Sequence, residues 1–411
     1  MEITDTVFQK IKKSIHHAMN SAFYKKHFEN LSIDDLNSPD DFYNLPFTEK
    51  EDLRNSYPLG LSSVTHDEIV RIHSSSGTTG VPIVIPYTKR DVTDWTYMIK
   101  RCYETAGLNA SDVIQITPGY GLWTAGIGFQ LGAENLGAMA IPIGPGNTEK
   151  QIQMMIDFKS TVLTATSSYG LLLAEEIERR GIKNKICLKK GIFGSERWGA
   201  KMRSQIVSKL GIELYDIYGL TEIYGPGIGM SCTHNQGIHM WTDFFFYEIV
   251  DPETGNNVPQ GTYGELVITT LRKEGAPLIR YRTHDITREL PDPCPCSLPY
   301  PVIDAISGRS DDMVKVKGVI IYPRRVEELL SDIDGISGEY QVLISHIENH
   351  DTVQLLFETP YDQEGKKYLE NIVRLRFKEV LGIFSETKAV GIGELPRSEK
   401  KTQRILDNRI I

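Results

Sequence analysis

The sequence predicts an α/β protein with a large N-terminal domain of parallel or mixed sheets covered by helices, a β-rich subdomain, and a small C-terminal α+β domain. Three observations favour this class. From about residue 90 to 210, amphipathic helices alternate with short apolar strands, which is typical of parallel sheets covered by helices. Strand-forming segments dominate residues 244–289, and helix and strand alternate again from 326 to 390. A chain of 411 residues is also too long for one compact core.

The elements follow in order along the chain. Residues 6–28 place apolar side chains on one helix face, and Thr48 is the predicted N-cap of a helix within Leu45–Arg54. Strands at 68–72 and 83–87 flank a polar turn. We then predict helices at 91–106, 126–136, 149–158, 170–180 and 200–210, and strands at 113–117, 139–143, 162–165, 190–193, 244–250, 264–270 and 278–282. Ligands of such sheets bind beyond the carboxyl ends of the strands, so the candidate site segments are 118–123, 144–147, 166–169 and 194–198.

The composition excludes several classes of protein. Hydrophobic residues make up 40% and charged residues 24%, as in ordinary globular proteins. The net charge of −9 and the lack of a long basic run argue against nucleic-acid binding, so we expect small-molecule partners. The N-terminus lacks a basic region followed by an apolar core, and no stretch reaches membrane-spanning length. We therefore expect no membrane association and a cytoplasmic location.

The segment His73–Pro82 sets three serines, two threonines and two glycines between two predicted strands. Gly77 and Gly80 permit close backbone approach, and successive amides with Ser and Thr hydroxyls can form an anion nest that suits phosphates. The Gly-Lys-Ser/Thr signature of P-loop enzymes is absent. By itself the segment fits a phosphate-binding loop or a flexible hairpin tip equally well.

Four further stretches carry groups suited to nucleotide chemistry. Tyr215–Gly225 contains tyrosine rings, a threonine hydroxyl and a glutamate carboxylate. Thr283-His-Asp285 ends in a carboxylate with two acceptor oxygens. Gly308–Gly318 is a charged turn, and Leu395–Arg404 is a basic tail. In isolation each also fits an ordinary loop or a solvated surface segment.

Together and in this order, these stretches resemble the adenylate-forming enzymes, the acyl-CoA synthetase and adenylation-domain superfamily. The closest resemblance is to the phenylacetate-CoA ligases, and it rests on Pro46–Arg54, Gly119–Thr124, Gly146–Thr148, Gly308–Met313 and Pro396–Glu399. It implies ATP, Mg²⁺ and coenzyme A as cofactors. Nucleotide binding is then expected from Lys50, Ser75, Ser76, Gly77, Thr78, Thr79, Gly80, Ser195, Glu196, Asp216, Tyr218, Asp285 and Arg309.

The resemblance also implies the catalytic roles. Thr221 and Glu222 would serve phosphate and Mg²⁺, the Tyr218 ring would lie against adenine, and Asp285 would bind the ribose hydroxyls. Lys401 would be the catalytic lysine. Lys400 is the alternative, because it falls where the family has glycine. Residues 1–310 would form the large domain and 311–411 a small mobile domain. The acid pocket would be lined by Tyr120, Trp123, Gly126 and Ile127, and such aromatic and glycine-rich walls suit an aryl or arylacetic acid.

The implied reaction converts a carboxylate into an acyl-adenylate, which the thiol of coenzyme A then attacks. An alternative is an adenylating enzyme that loads a carrier protein or an amine in a natural-product pathway. A non-catalytic nucleotide-binding regulator is less favoured, because Glu222, Asp285 and Lys401 occupy the matching positions. The sequence does not predict the acid or the oligomeric state, although a homodimer is plausible.

The cysteines suggest a separate metal site. Five cysteines, an odd number in a long chain, do not form a disulfide framework. Cys294 and Cys296, with Cys232 and a histidine, could form a structural tetrahedral zinc site. His239 is the favoured imidazole and His234 the alternative, and unliganded loop thiols are the competing interpretation.

Overall fold

The computed structural model describes residues 3–75, 81–196, 199–310, 314–316, 319–321, 323–347, 350–396 and 404–410. The chain forms two compact units. The first comprises Met1–Thr166, Ile182–Ser195 and Glu213–Ile306, and the second Ser167–Gly181, Glu196–Ile212 and Ser307–Ile411. The predicted mixed α/β class is confirmed, whereas the predicted boundary at residue 310 stays a prediction. No helix in the described ranges has the length and apolar character needed to cross a membrane.

The first unit opens with helices α1 (Asp5–Ala18), α2 (Ala22–His27), α3 (Pro39–Tyr43) and α4 (Lys50–Asn55). The prediction of one helix over 6–28 was wrong, because the chain leaves the helix after Ala18. Ser21 explains the break. Its hydroxyl donates to Ala18 O at 2.8 Å and accepts from the Tyr24 N–H at 3.1 Å, so it caps α2.

The predicted N-cap of α4 was wrong by one residue. Glu49 caps this helix in a capping box with Asp52. The Thr48 hydroxyl is used elsewhere: it donates to Ile279 O at 2.7 Å and lies 2.9 Å from the Tyr24 hydroxyl. Thr48 therefore ties the start of α4 to a distant strand rather than capping the helix.

The hairpin of β1 (Ile69–Ser74) and β2 (Val84–Thr88) precedes a mixed eight-stranded sheet. Helices α5 (Lys89–Thr105), α6 (Ala125–Leu136) and α7 (Thr148–Asp157) lie between strands in the chain. The sheet has the order β13-β9-β8-β7-β6-β5-β3-β4. Its strands are β3 (Val113–Ile116), β4 (Met139–Pro142), β5 (Val162–Thr166), β6 (Lys190–Gly194), β7 (Glu213–Leu220), β8 (Gly225–Met230), β9 (Ile238–Met240) and β13 (Val302–Ile303).

Both the strand direction and the strand order change within this sheet. Strands β3 to β7 pair in parallel, whereas β7, β8, β9 and β13 pair antiparallel. Strand β3 pairs with β4 on one side and with β5 on the other, so the strand order reverses at β3. The segment after β3 therefore lies at a topological switch point, where open α/β sheets bind ligands.

The β-rich subdomain contains the antiparallel strands β10 (Phe245–Val250), β11 (Gly264–Thr270) and β12 (Tyr281–Thr287). The last strand was predicted at 278–282 but starts at Tyr281. The backbone of Arg280 has a left-handed φ of 47°, which interrupts the extended run before Tyr281. Strand β12 continues beyond the predicted end, through a left-handed residue at His284 (φ 63°), and includes Asp285.

The second unit contains α8 (Ser167–Arg179) and α9 (Ala200–Leu210), both close to their predicted positions. Its four-stranded sheet has the order β19-β18-β17-β20, with an antiparallel centre and parallel outer pairs. Its core includes Leu369, Val373 and Phe377 of α11. The remaining elements are β14 (Gly308–Arg309), β15 (Val314–Val316), β16 (Val319–Ile321), α10 (Pro323–Ser331), β17 (Tyr340–Ile347), β18 (His350–Glu358), α11 (Gln363–Leu381), β19 (Glu386–Val390) and β20 (Ile405–Asp407).

Candidate active site

The predicted phosphate loop connects β1 to β2. The strands are in register up to Ser74 opposite Val84, and the Ser75 N–H donates to Ile83 O at 3.1 Å. The Ser74 N–H donates to Leu122 O at 2.8 Å, and His73 Nδ1–H donates to the same carbonyl at 3.1 Å. The hairpin is thereby attached to the segment that follows β3. Ser76, Gly77, Thr78, Thr79 and Gly80 lie outside the described residues.

Thr221 and Glu222 form the turn between β7 and β8. Thr221 Oγ1 lies 3.4 Å from Thr124 Oγ1, at the start of α6. Glu222 is only 7% exposed, and no hydrogen bond to its carboxylate occurs among the described residues. A largely buried carboxylate of this kind is a hard oxygen ligand that suits a cation such as Mg²⁺.

Tyr218 and Asp285 meet across the two sheets of the first unit. The Tyr218 hydroxyl on β7 donates to Asp285 Oδ2 on β12 at 2.6 Å. Both residues are nearly buried, and the Asp285 N–H is held by Thr283 Oγ1 at 3.1 Å. Asp216 lies two residues before Tyr218, and its N–H donates to Ser231 Oγ at 2.9 Å. The predicted adenine and ribose residues therefore lie together.

Lys50 begins α4, and its neighbours connect it to β12. The Thr48 N–H donates to Arg280 O, and the Arg282 N–H donates to Thr48 O, both at 3.0 Å. The Glu49 carboxylate lies 3.4 Å from Arg282 Nη1 and 3.6 Å from His284 Nε2. Lys50 is thus held near the strand that carries Asp285, 235 residues later in the chain.

The predicted acid-binding residues cluster at the switch point. Gly126 approaches Tyr120 so closely that a Cβ there would lie 2.6 Å from the Tyr120 ring and 2.7 Å from Gly119 O. The Tyr120 hydroxyl is buried without a hydrogen-bond partner in the described structure. Burial raises the pKa of Tyr120. Trp123 is partly exposed and covers Gly119, whereas Ile127 packs on the core.

The other residues predicted to serve the nucleotide lie on several different segments of the chain. Ser195 follows β6 with a left-handed φ of 66°. Glu196 belongs to the second unit, where its Oε2 accepts from the Ser168 N–H at 2.9 Å and burial raises its pKa. Arg309 lies on β14 in the second unit. Lys400 and Lys401 lie outside the described residues.

The four predicted zinc ligands come together in the first unit. The ligand atoms of Cys232, His239, Cys294 and Cys296 all lie within 4.8 Å of one another. Cys232 Sγ is 3.4 Å from Cys294 Sγ, and Cys296 Sγ is 3.2 Å from His239 Nε2. His239 Nδ1 lies 3.2 Å from Tyr300 O, which fixes the ring and directs Nε2 toward the thiols. The alternative imidazole, His234, is not part of this cluster.

Three residues beside the site were not assigned a role from the sequence. Thr124 contacts Thr221, and His73 donates to the Leu122 carbonyl. Both residues lie within motifs named above, Gly119–Thr124 and His73–Pro82, so the sequence could have indicated them. Lys273 gave no such signal. It is 2% exposed and donates to Ile223 O, and burial lowers its pKa to about 7.

The structure brings the polar hairpin and the Thr221–Glu222 turn to the segment after β3, and it pairs Tyr218 with Asp285. Polar groups gathered at the strand ends of an open α/β sheet are typical of the ligand-binding site of an enzyme. Comparison with known proteins agrees. A family model described as "AMP-binding enzyme" matches residues 11–271, and one described as "AMP-binding enzyme C-terminal domain" matches residues 318–409. The chain belongs to the AMP-binding enzyme family.

Individual relatives refine this assignment. Phenylacetate-coenzyme A ligase of Pseudomonas putida is 40% identical, covering 98% of this chain and 93% of its own length. The Escherichia coli K12 phenylacetate-coenzyme A ligase is 39% identical, covering 98% and 94%. A crystal structure of 2-hydroxyisobutyryl-CoA ligase in complex with R3-HIB-AMP has a TM-score of 0.88 at 25% identity, covering 98% of this chain and 88% of that chain. The protein is accordingly an AMP-forming acid–thiol ligase similar to phenylacetate-CoA ligases.

Proposed function

We propose that the protein activates an aromatic carboxylic acid with ATP as an acyl-adenylate and then transfers the acyl group to coenzyme A. The observation that carries this proposal is identity of about 40% to phenylacetate-CoA ligases along nearly the whole chain. The local geometry supports it, because Thr221, Tyr218 and Asp285 lie in one unit with the hairpin that bears Ser75.

The residues have separable roles in this reaction. The Tyr218 ring lies against adenine, and Asp285 accepts hydrogen bonds from the ribose hydroxyls, which positions ATP for attack by the carboxylate. The hydroxyls of the Ser75–Thr79 loop and Thr221, with Lys50, hold phosphate oxygens. Glu222 would hold Mg²⁺, which neutralises developing phosphate charge when bound. Lys401 provides a second cation at the reacting centre during adenylation.

The acid binds at the switch point. Tyr120 offers an aromatic wall and a buried hydroxyl without a described partner, and Gly126 leaves room for its ring. We expect Trp123 and Ile127 to contribute the other apolar walls of the acid-binding pocket. A pocket of this kind favours an aryl or arylacetic acid over an aliphatic one.

The acid preference is tested by pyrophosphate release with a panel of arylacetic, benzoic, indole-containing and aliphatic acids. We expect release with an aromatic acid and formation of its coenzyme A thioester. Pyrophosphate release with hydroxylamine, but no thioester with coenzyme A, would favour a carrier-protein or amine acceptor. No ATP consumption with any acid would contradict the proposal.

Lys401 and Lys400 are tested as a matched pair. Lys401→Ala should lower adenylation by roughly 10²- to 10³-fold, the usual effect of removing one transition-state charge partner. It should spare thioester formation from supplied acyl-adenylate, and Lys400→Ala should have little effect on either step. The reverse pattern would assign the role to Lys400.

We further infer that Cys232, His239, Cys294 and Cys296 hold a structural Zn²⁺. Their mutual distances suit a tetrahedral site with Zn–S bonds of about 2.3 Å, and four protein ligands leave no position for substrate. Metal analysis of the purified protein should give one zinc per chain, reduced in Cys296→Ser and unchanged in Cys187→Ser, since Cys187 is exposed and outside the cluster.

A cytoplasmic location and a homodimer are also part of the proposed function. Cell fractionation tests the location, and measurement of the molecular mass in solution tests the oligomeric state.

A further inference from the structure

Lys273 is a buried lysine beside the turn that carries Glu222. Its ammonium donates to the carbonyl of Ile223, the residue directly after Glu222. It also lies over two tyrosine rings, 4.2 Å from the centroid of Tyr87 and 4.5 Å from that of Tyr224. An ammonium enclosed between aromatic faces with one carbonyl acceptor is held in a defined place.

The backbone on both sides of Lys273 is fixed to α5. Arg272 forms a bidentate ion pair with Asp94, at 2.7 and 3.1 Å. On the other side, the N–H groups of Glu274 and Gly275 each donate to Asp91 at 2.8 Å. The loop that carries Lys273 is thus attached on both sides of the lysine to α5, a 17-residue helix with one buried face.

Tyr87, one of the two tyrosines beside Lys273, also holds the Thr221–Tyr224 turn. The Tyr87 hydroxyl donates to Tyr224 O at 2.8 Å, so the carbonyls of Ile223 and Tyr224 are both engaged by donors from outside the turn. Glu222 precedes these carbonyls, and its carboxylate has no hydrogen bond among the described residues. The orientation of Glu222 therefore depends on how firmly the following peptide is held.

We propose that Lys273 is a positioning residue of the ligase: it fixes the Thr221–Tyr224 turn through the Ile223 carbonyl and so presents Glu222 to the Mg²⁺ of the nucleotide. This inference rests on the proposed role of Glu222. Partners that orient a metal ligand typically contribute 10- to 100-fold in metal affinity or activity.

The test compares Lys273→Met with Lys190→Met. Lys190 is the control, because its ammonium also donates to a backbone carbonyl, that of Ala106, and lies 5.8 Å from the Tyr215 ring centroid. Unlike Lys273, it is partly exposed and lies 3.6 Å from a Glu213 carboxylate oxygen. Methionine keeps the apolar stem of lysine and removes the donor. The described contacts of Lys273 are the Ile223 carbonyl and two tyrosine rings, with no carboxylate in direct contact. Lys273→Met therefore leaves no contacting counter-charge unpaired and is expected to fold.

Two measurements on Lys273→Met decide the question. The divalent-ion affinity is measured without turnover, as Mn²⁺ binding in the presence of an α,β-methylene ATP analogue. We expect roughly 10-fold weaker binding for Lys273→Met and no change for Lys190→Met. Amide hydrogen exchange in the apo protein should also be faster over 218–225 in Lys273→Met alone.

Lys273→Gln provides a second variant, since its neutral amide keeps a donor for the carbonyl. It should regain part of the Mn²⁺ affinity, and it replaces Lys273→Met if the latter is insoluble. Mn²⁺ affinity and exchange rates equal to those of Lys190→Met would overturn the inference. If the wild-type protein itself binds no nucleotide-dependent Mn²⁺, the failure lies with the proposed role of Glu222 instead.

Discussion

Arg280 and Glu248 form a buried ion pair that connects the N-terminal helices to the β-rich subdomain. Their side chains are only 4% and 1% exposed, and they join through contacts of 2.9 and 3.2 Å. Arg280 Nη1 also donates to Leu45 O at 2.6 Å and to Tyr43 O, and the guanidinium lies 4.1 Å from the Phe47 ring centroid. One side chain thus holds the segment that leads to Lys50.

Arg280→Met should destabilise the first unit by about 5 kcal/mol. Leaving one member of a buried pair unpaired costs about 3–5 kcal/mol, and two carbonyls without a donor add roughly 1–2 kcal/mol. The left-handed backbone at residue 280 is strained for methionine as for arginine, so this contribution cancels. The loss is comparable to the whole stability of many domains.

Urea unfolding monitored by tryptophan fluorescence measures this effect. Trp95 and Trp241 are fully buried in the core of the first unit and report on its unfolding. Burial already raises the pKa of Glu248. Without Arg280 the pKa of Glu248 should rise further above its value in the unfolded chain. Protonation of Glu248 then stabilises the folded variant at low pH, and this stabilisation is lost as the pH increases. The difference in unfolding free energy from wild type should therefore be larger at pH 8 than at pH 5.

A double mutant separates the ion pair from general packing. Glu248→Leu alone should cost about 3 kcal/mol, because Arg280 keeps its two carbonyl acceptors. The double variant Arg280→Met/Glu248→Leu should cost only about 2 kcal/mol, far below the sum of the single effects, since no buried charge remains. Additive losses, or an Arg280→Met loss below about 1 kcal/mol, would refute the reasoning.

Three further predictions concern the site and its surroundings. Burial raises the pKa of Glu265, but hydrogen bonds from His284 and Arg282 outweigh burial and lower this pKa to about 2. The free energy of unfolding should therefore be largest above pH 5 and decline as the pH falls toward 2. Glu265→Gln should already be less stable at pH 7, and its stability, measured by circular dichroism, should depend less on pH in this range. Gly126→Ala should raise the KM for the acid at least about 10-fold with little change in the KM for ATP, because its methyl group displaces the Tyr120 ring. Gly338→Ala is the control, because a Cβ there meets no atom within 4 Å. Equal KM values for the acid in the two variants would contradict the prediction. Cys296→Ser should lower the Tm by about 5 °C or more if zinc is structural, whereas Cys187→Ser and wild type should melt alike; a Cys296→Ser protein as stable as wild type would count against a structural metal.

The sequence predicted the α/β class and the strands β3 to β6 of the central sheet, because hydrophobic periodicity is a local property. The strands β7, β8, β9 and β13 of the same sheet were not predicted. Helix α9 has its predicted bounds, and so does strand β11. The resemblance to phenylacetate-CoA ligases likewise followed from short motifs that keep their order in the chain, and the comparisons confirm it.

Local signals failed where a distant partner determined the outcome. Thr48 looked like an N-cap, but its hydroxyl is used by Ile279, 231 residues away, so Glu49 caps the helix. The break after Ala18 has a local cause instead, because Ser21 bonds to groups only three residues before and after it, and this capping signal was missed. The late start of β12 follows from the left-handed backbone of Arg280, whose side chain is held by Glu248 and two carbonyls.

The sequence by itself determined the types of reactive group and the family to which the chain belongs. Tertiary structure alone decided which groups meet: Tyr218 with Asp285, Thr221 with Thr124, and His239 rather than His234 with the three cysteines. It also revealed Lys273, which belongs to no motif and acquires a role only because folding brings its ammonium to the Ile223 carbonyl. The physical reason is that hydrogen bonds and charge contacts act over a few ångströms in space, whatever the distance along the chain.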